Sequence, residues 1–296
     1  MPSVLKQTEA KGTTVRVDFD RERQWWDAKA HKEEVDLADE DINRALRWRE
    51  IERHLADVET VLCVGGGTGA FSIPLARRGF TVTHVDFSPR MLEIARDKAQ
   101  GVEHIHFVEA NAADLSRFAD HSFDLVLNMD GAISFCGSEA EKAILESCRV
   151  TRKTLIATVT NRALMITVLC AQGLQLKGRF VSALGAMWDH GEWHQHQFPD
   201  NPELARGMTQ DYCGAIKAFL PDELRATLAR AGMHVLRCGG LGSLALLCGR
   251  ATVERVREDK QLFEQFVELC ERFDLEILPD GPGTRQRAGL IAVAQP

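Results

Sequence analysis

Short apolar runs and stretches of helical period take turns along most of this chain. Thr60-Val61-Leu62-Cys63-Val64 predicts a strand that ends in Gly65-Gly66-Gly67-Thr68-Gly69. A helix is expected next through Phe71, Ile73, Leu75 and Ala76 to a stop at Gly79, kinked or loosened by Pro74. Residues 80–85 read as a second strand, ending at Asp86. Ser88 then caps a helix with Pro89 at its first position, with Met91, Leu92 and Ala95 inward and Gly101 at its end. Residues 105–108, 123–127 and 154–160 are further strands. The run 123–127 is almost uninterruptedly apolar, as a parallel strand buried on both faces requires.

Ser138-Glu139-Ala140-Glu141 has the spacing of a capping box ahead of Ile144, Leu145 and Cys148. Residues 221–231 form a helix with Leu224 and Leu228 stacked, 235–238 a sixth strand, 251–273 a helical stretch and 288–294 a closing strand. At the other end, the first 18 residues are polar and aperiodic, a loose arm. A polar and aromatic stretch holding Trp25-Trp26 follows, then a helix with Ile42, Ala45, Leu46, Ile51 and Leu55 on one side and Asp41 as its N-cap. Strands and helices alternating at this spacing predict an α/β fold: one doubly wound, mostly parallel sheet of seven strands with helices on both faces.

Composition narrows the picture. The chain has 296 residues, 45% hydrophobic, enough for one large α/β domain. A formal charge of −7 gives no general grip on nucleic acid. No apolar run approaches the ~18 residues of a membrane span, and Met1-Pro2-Ser3-Val4-Leu5, without an apolar h-region, reads as neither a signal peptide nor an anchor. The eight cysteines contain no C-x-x-C pair, so reduced thiols in a cytoplasmic protein are expected.

The chemistry is carried by the glycine run. A strand running into glycines and then a helix sets bare backbone amides beside a ligand. Asp86, 21 residues beyond Gly65 at the end of the second strand, can accept hydrogen bonds from both hydroxyls of a ribose. Glycine loop plus acid predicts an adenosine-type cofactor, a geometry that nicotinamide and flavin enzymes share.

The run Val61–Gly69, followed by Val85-Asp86-Phe87-Ser88-Pro89-Arg90-Met91-Leu92, resembles the class I S-adenosylmethionine-dependent methyltransferases, in particular the small-molecule, type 11-like members. Phe107-Val108-Glu109-Ala110-Asn111-Ala112 and Ser122-Phe123-Asp124-Leu125-Val126-Leu127 look like that family's next two motifs, in order. Phe219-Leu220-Pro221-Asp222-Glu223-Leu224 is similar to its approach to the late strands. The resemblance implies a Rossmann-like sheet, S-adenosyl-L-methionine as donor and S-adenosyl-L-homocysteine as product. It implies that Gly65, Gly66, Gly67 and Gly69 line the donor, that Asp86 holds its ribose, and that Phe87 lies against the adenine with Ser88 beside it. Asn111 and Ala112 would meet the adenine edge, and Asn128 and Met129 would border the sulfonium. Cys63 departs from the family, standing where an acid often precedes the loop.

On this reading, 1–50 is an arm and covering helix, 51–160 the cofactor-binding half, 161–219 a lid and substrate insertion, and 220–296 completes the same sheet. The acceptor pocket is expected from the N-terminal segment and the insertion. If extended, His190-Gly191-Glu192-Trp193-His194-Gln195-His196 would put His190, Glu192, His194 and His196 on one face, as a metal site wants. A solvated lid loop explains the same residues, and no metal is expected. His194 or His190 is the candidate general base, with Asp130 as rival. Trp25, Trp26, Trp188, Trp193 and Tyr212 all fall in the two covering segments. They either wall a pocket or form the lid's own core. Arg44, Arg47 and Arg49 on the first helix are candidate anchors for the carboxylate of an acidic or amino-acid-like acceptor, Arg47 foremost, or else a solvated helix face.

The expected activity is methyl transfer to an O, N or S nucleophile of a small metabolite. A nicotinamide-dependent oxidoreductase and a non-catalytic donor-binding protein are the alternatives. A small-molecule partner is expected, with no nucleic acid and no membrane; a homodimer stays open.

Overall fold

The computed structural model describes residues 17–31, 38–129, 131–178, 180, 182–193, 215–283 and 289–296. Seven strands form the main sheet: β1 (Thr60–Val64), β2 (Thr81–Asp86), β3 (Ile105–Glu109), β4 (Phe123–Asn128), β5 (Thr151–Val159), β8 (His234–Gly240) and β9 (Leu290–Gln295). Their order is β3-β2-β1-β4-β5-β9-β8. The pairs from β3 through to β5 are parallel, and β9 runs antiparallel between β5 and β8. A separate two-stranded ribbon pairs β6 (Glu192–Trp193) with β7 (Ile216–Lys217). This is the expected doubly wound, mostly parallel sheet.

The helices are α1 (Phe19–Lys29), α2 (Ala38–Arg53), α3 (Ser72–Arg77), α4 (Pro89–Lys98), α5 (Ala132–Phe135), α6 (Ala140–Val150), α7 (Arg162–Lys177), α8 (Ser182–His190), α9 (Pro221–Arg230), α10 (Ser243–Cys248), α11 (Arg250–Arg257) and α12 (Lys260–Arg272). Strand side chains alternate between faces, so two cores form. On one face Leu62, Val64, Val126, Leu155 and Ala157 pack against Ile144 of α6 and Leu224 and Leu228 of α9. On the other, Val61, Leu125, Leu127 and Ile156 meet Leu46 of α2, Leu75 of α3 and Val267 of α12. The chain leaves β1 for β2 on one side, while β4 lies on the other. The carboxyl ends of β1 and β4 therefore flank the switch point where such sheets open a crevice.

Several local expectations give way to packing. Asp41 lies inside α2, not at its N-cap, and its carboxylate pairs with Arg257 of α11. Pro74 falls in the first turn of α3, which starts at Ser72, where a helix tolerates a proline. The Ser138 capping box does not form. Residues 137–139 make a 3₁₀ turn, Glu139 precedes α6 without a side-chain cap, and Ser138 Oγ instead accepts from the Val17 amide at 3.3 Å. The helical stretch 251–273 divides where Asp259 caps α12 through the Leu262 amide, 2.9 Å.

The segment between β5 and α9 builds a core of its own from Met165, Leu169, Leu184, Met187, Ile216 and Ala218, with Phe135 packed against it. Arg162, 6% exposed, fastens it to the main body. Its Nε donates to the Met187 carbonyl at 2.9 Å, capping α8, and its Nη1 pairs with Glu223 of α9. Among the described residues no helix is long and apolar enough to cross a membrane. The cysteines described are free.

Candidate functional site

The bend after β1 is shaped by backbone angles that side-chain-bearing residues resist. Gly65 and Gly67 have φ of +63° and +54°, the left-handed region where glycine is at ease. The Gly66 amide donates to the Val85 carbonyl at 2.9 Å, fastening the bend to β2. A Cβ at Gly65 would lie 2.3 Å from Ala132 Cβ, so α5 closes tightly over it.

Asp86 ends β2 beside this bend and is 7% exposed. One oxygen, Oδ2, accepts from the Gly67 amide at 2.8 Å; Oδ1 accepts from the Ser88 amide at 2.9 Å. A carboxylate accepts about four bonds, so these two amides alone do not exhaust Asp86 as an acceptor. Asp86 and Gly65–Gly67 line a cleft that is open to solvent at its mouth. Thr68, Phe87, Ala110, Asn111 and Ala112 share its wall. The Asn111 Oδ1 is taken by the Ala113 amide at 2.9 Å, which turns the side-chain NH₂ into the polar group offered to a ligand.

The other wall is a cover. α1 contributes Phe19 and Trp26, and α2 contributes Arg44. Trp26 stands edge-on to Phe135 with ring centroids 4.9 Å apart. Asp27 holds α1 down: its Oδ1 accepts from Ser88 Oγ at 2.5 Å and from the Arg90 amide at 3.1 Å. It thus caps α4 from a neighbouring helix, while Ser88 Oγ itself accepts from the Met91 amide at 3.1 Å. Glu22 fixes the far side of α1 to the chain just ahead of β7, accepting from the Ala215 amide at 2.8 Å. Asp27→Ala is therefore expected to loosen the cover and weaken ligand binding in the cleft about tenfold, the size of a lost cap and charged bond. Calorimetry on that variant checks it; unchanged affinity would mean that α1 does not serve the cleft.

Not every expected residue reaches this wall. Gly69 and Ser88 lie behind it: the place of a Gly69 Cβ is 2.4 Å from Ile73 Cδ1, and Ser88 is fully buried as the α4 cap. Asn128 and Met129 point into the two cores beside β4. Asn128 Nδ2 donates to Ser147 Oγ of α6 at 3.1 Å, and Met129 packs with Leu127 on the opposite face. Arg47 is turned inward, 4% exposed, its Nε on Asn43 Oδ1 at 2.9 Å, so Arg44 is the arginine that lines the cleft. Trp25 sits beside Trp26, centroids 4.7 Å apart, with Lys29 Nζ 4.0 Å over its ring, and does not line the cleft. Trp188 is 54% exposed on α8, away from the cleft.

His190 is exposed at the end of α8, and Gly191 with φ of +66° turns the chain before β6, so the supposed extended face does not include it. Glu192 faces Lys217 at 3.6 Å. Asp130, His194, His196 and Tyr212 lie outside the described residues, as does the Trp193 side chain. Among the described residues no three metal-ligating side chains gather. Cys63 is fully enclosed, and burial pushes its thiol up to about 12, so it offers no charge to a ligand.

The sequence reading gave no cleft role to Phe19, Met91, Phe135 or Cys136. It offered Arg44 only as one of three arginines on a helix whose rotation the sequence left open, and preferred Arg47.

Comparison with known proteins bears on the family and the fold. Residues 62–156 match the model of a family described as a methyltransferase domain. The chain is 48% identical over 83 residues to a demethylmenaquinone methyltransferase of Tropheryma whipplei, covering 27% of this chain and 34% of that protein. It is 31% identical over 102 residues to a magnesium-protoporphyrin O-methyltransferase of Rhodobacter capsulatus, covering 34% and 45%. The matches thus span a third to under half of these relatives' lengths. In overall fold it is similar to the magnesium protoporphyrin IX methyltransferase of Synechocystis PCC 6803 solved with bound S-adenosylhomocysteine. That likeness is 17% identical with a TM-score of 0.55 and covers 94% of this chain and 99% of that one.

Proposed function

We propose that this chain, a member of the class I S-adenosylmethionine-dependent methyltransferases by its residues 62–156, transfers a methyl group from that donor to an O, N or S nucleophile of a small metabolite. The observation that carries the reading is Asp86, a buried carboxylate bridging the glycine bend and the α4 cap at the cleft wall. In this reading Asp86 takes the ribose diol, Phe87 and Ala112 flank the adenine, and the NH₂ of Asn111 donates to its edge. Arg44 faces a carboxylate, that of the donor or that of an acidic acceptor. When bound, the donor supplies a methyl already activated on a sulfonium.

The protein's contribution is then geometry: holding the nucleophile in line with that methyl and keeping water out. Trp26, Phe19 and Phe135 provide the apolar cover for this. A nucleophile that arrives protonated must give its proton to a base, and a ring nitrogen of His194 is the proposed acceptor, with His190 and Asp130 as rivals. His194→Ala is expected to slow turnover about 100-fold and to leave affinity for S-adenosylhomocysteine as it was. Normal turnover would remove His194 from the mechanism.

The test of the whole reading is calorimetry with S-adenosylhomocysteine and, separately, NADH. Micromolar binding of the first is expected; binding of NADH alone would replace the methyltransferase reading with an oxidoreductase. Incubation of a metabolite pool with methyl-labelled donor, read by mass spectrometry, then identifies the acceptor.

A further inference from the structure

His84 lies on β2 two residues before Asp86, on the same face of the strand, and is fully buried. Its ring is gripped from three directions. Nδ1 is 2.7 Å from Ser72 Oγ in the first turn of α3. Phe107 of β3 lies with its centroid 5.1 Å away. Above it is Gly66: a Cβ there would fall 2.4 Å from Cε1, 2.6 Å from Nδ1 and 3.0 Å from Nε2. Carbon atoms do not approach that closely, and a rigid ring in a close-packed interior has nowhere to retreat.

Gly66 differs in this from the glycines beside it. Gly65, Gly67 and Gly69 have positive φ, which would strain any other residue; Gly66 does not. Its backbone does not demand glycine, and the three atoms nearest the place of its Cβ all belong to the imidazole. The two flanking bonds that fix the bend, from the Gly66 amide to the Val85 carbonyl at 2.9 Å and from the Gly67 amide to Asp86 Oδ2 at 2.8 Å, both land on the residues just after His84. Burial pushes the imidazole down to about 4 against the opposing pull of the Gly67 backbone, so the ring is neutral at neutral pH.

We propose that His84 is a positioning residue for donor binding. Its imidazole is the floor on which the glycine bend rests, it sets the height of the Gly66 and Gly67 amides against Asp86, and position 66 is glycine because the ring fills the place of its side chain. The inference rests on the donor reading of the cleft.

The test is a cycle of Gly66→Ala, His84→Ala and the double variant, each titrated with S-adenosylhomocysteine by calorimetry. Gly66→Ala is expected to weaken binding about 30-fold and His84→Ala about tenfold, while the double variant binds no worse than His84→Ala, because the clash leaves with the ring. A double variant weakened by the product of the two, about 300-fold, overturns the proposal. Should His84→Ala not fold, the wild-type protein still decides. Its His84 Cε1–H resonance is expected to shift when S-adenosylhomocysteine binds above it, and an unmoved resonance overturns the proposal. Failure of the wild type to bind at all is a different result, which overturns the donor reading and this inference with it.

Discussion

Asp86→Ala is expected to abolish measurable binding of S-adenosylhomocysteine, a loss of at least about 100-fold, in a protein that still folds. Two separate losses combine. The charge-assisted bonds to a ribose diol disappear, each worth about 1.5–3 kcal/mol. The Gly67 and Ser88 amides, which the carboxylate now holds at 2.8 and 2.9 Å, also lose their acceptor, and the bend relaxes from the shape that fits a ligand. Asp86→Asn keeps the volume and one acceptor oxygen but loses the charge, so it should fall between alanine and wild type. Calorimetry orders the three. Alanine binding as tightly as wild type would show that the ligand is held elsewhere in the cleft, and the adenosyl reading would go with it.

That site was legible because its signals are local. A strand, a run of glycines and a carboxylate at the next strand end are fixed by backbone geometry over a few residues, and the structure places the bend and Asp86 together as that geometry requires. The sheet was legible for a related reason: runs such as Leu125–Leu127 are apolar on both sides because both faces are covered. What was illegible depends on contacts distant in sequence. Whether Arg44 or Arg47 faces the cleft is decided by the rotation of α2, which the packing of Ile42, Leu46 and Ile51 sets. Asn128 ends a strand aimed at the crevice, yet its side chain belongs to the α6 face and finds Ser147, 19 residues on. Ser138 looks like a cap, but the chain at Val17 competes for its hydroxyl. Asp27 carries no motif at all, since a cap supplied from another helix leaves no pattern in either one. The wedge between His84 and Gly66 was hidden for the same reason: a fourth glycine in a glycine loop draws no question until a ring is found beneath it.

Asp124→Ala is expected to destabilise the fold by about 3 kcal/mol without changing affinity for S-adenosylhomocysteine. Asp124 sits at the start of β4, at the end of the strand away from the cleft, and is 1% exposed. Its Oδ2 accepts from the Glu59 and Thr60 amides at 3.0 and 3.1 Å, and its Oδ1 from Arg152 Nε and Nη2 at 3.0 and 2.8 Å. Lys153 Nζ adds an ion pair at 3.1 Å. One carboxylate thus pins the starts of β1 and β5 to the strand between them. Burial works to raise its pKa, but the Glu59 and Thr60 amides with Arg152 and Lys153 win and hold it well below the usual carboxylate range. The sign of the pH dependence follows. A carboxyl depressed in the folded state contributes stability above its unfolded value, near 4, and that stability is lost as pH falls toward the folded value. Urea unfolding between pH 6 and 3 should therefore give a steeper acid loss in wild type than in Asp124→Ala, the gap between the two curves narrowing once the pH falls below about 4. Parallel curves would mean that Asp124 is not ionised in the fold. A fall in donor affinity at pH 7 would instead mean that the two ends of β4 are coupled, contrary to the separation of roles drawn from their positions.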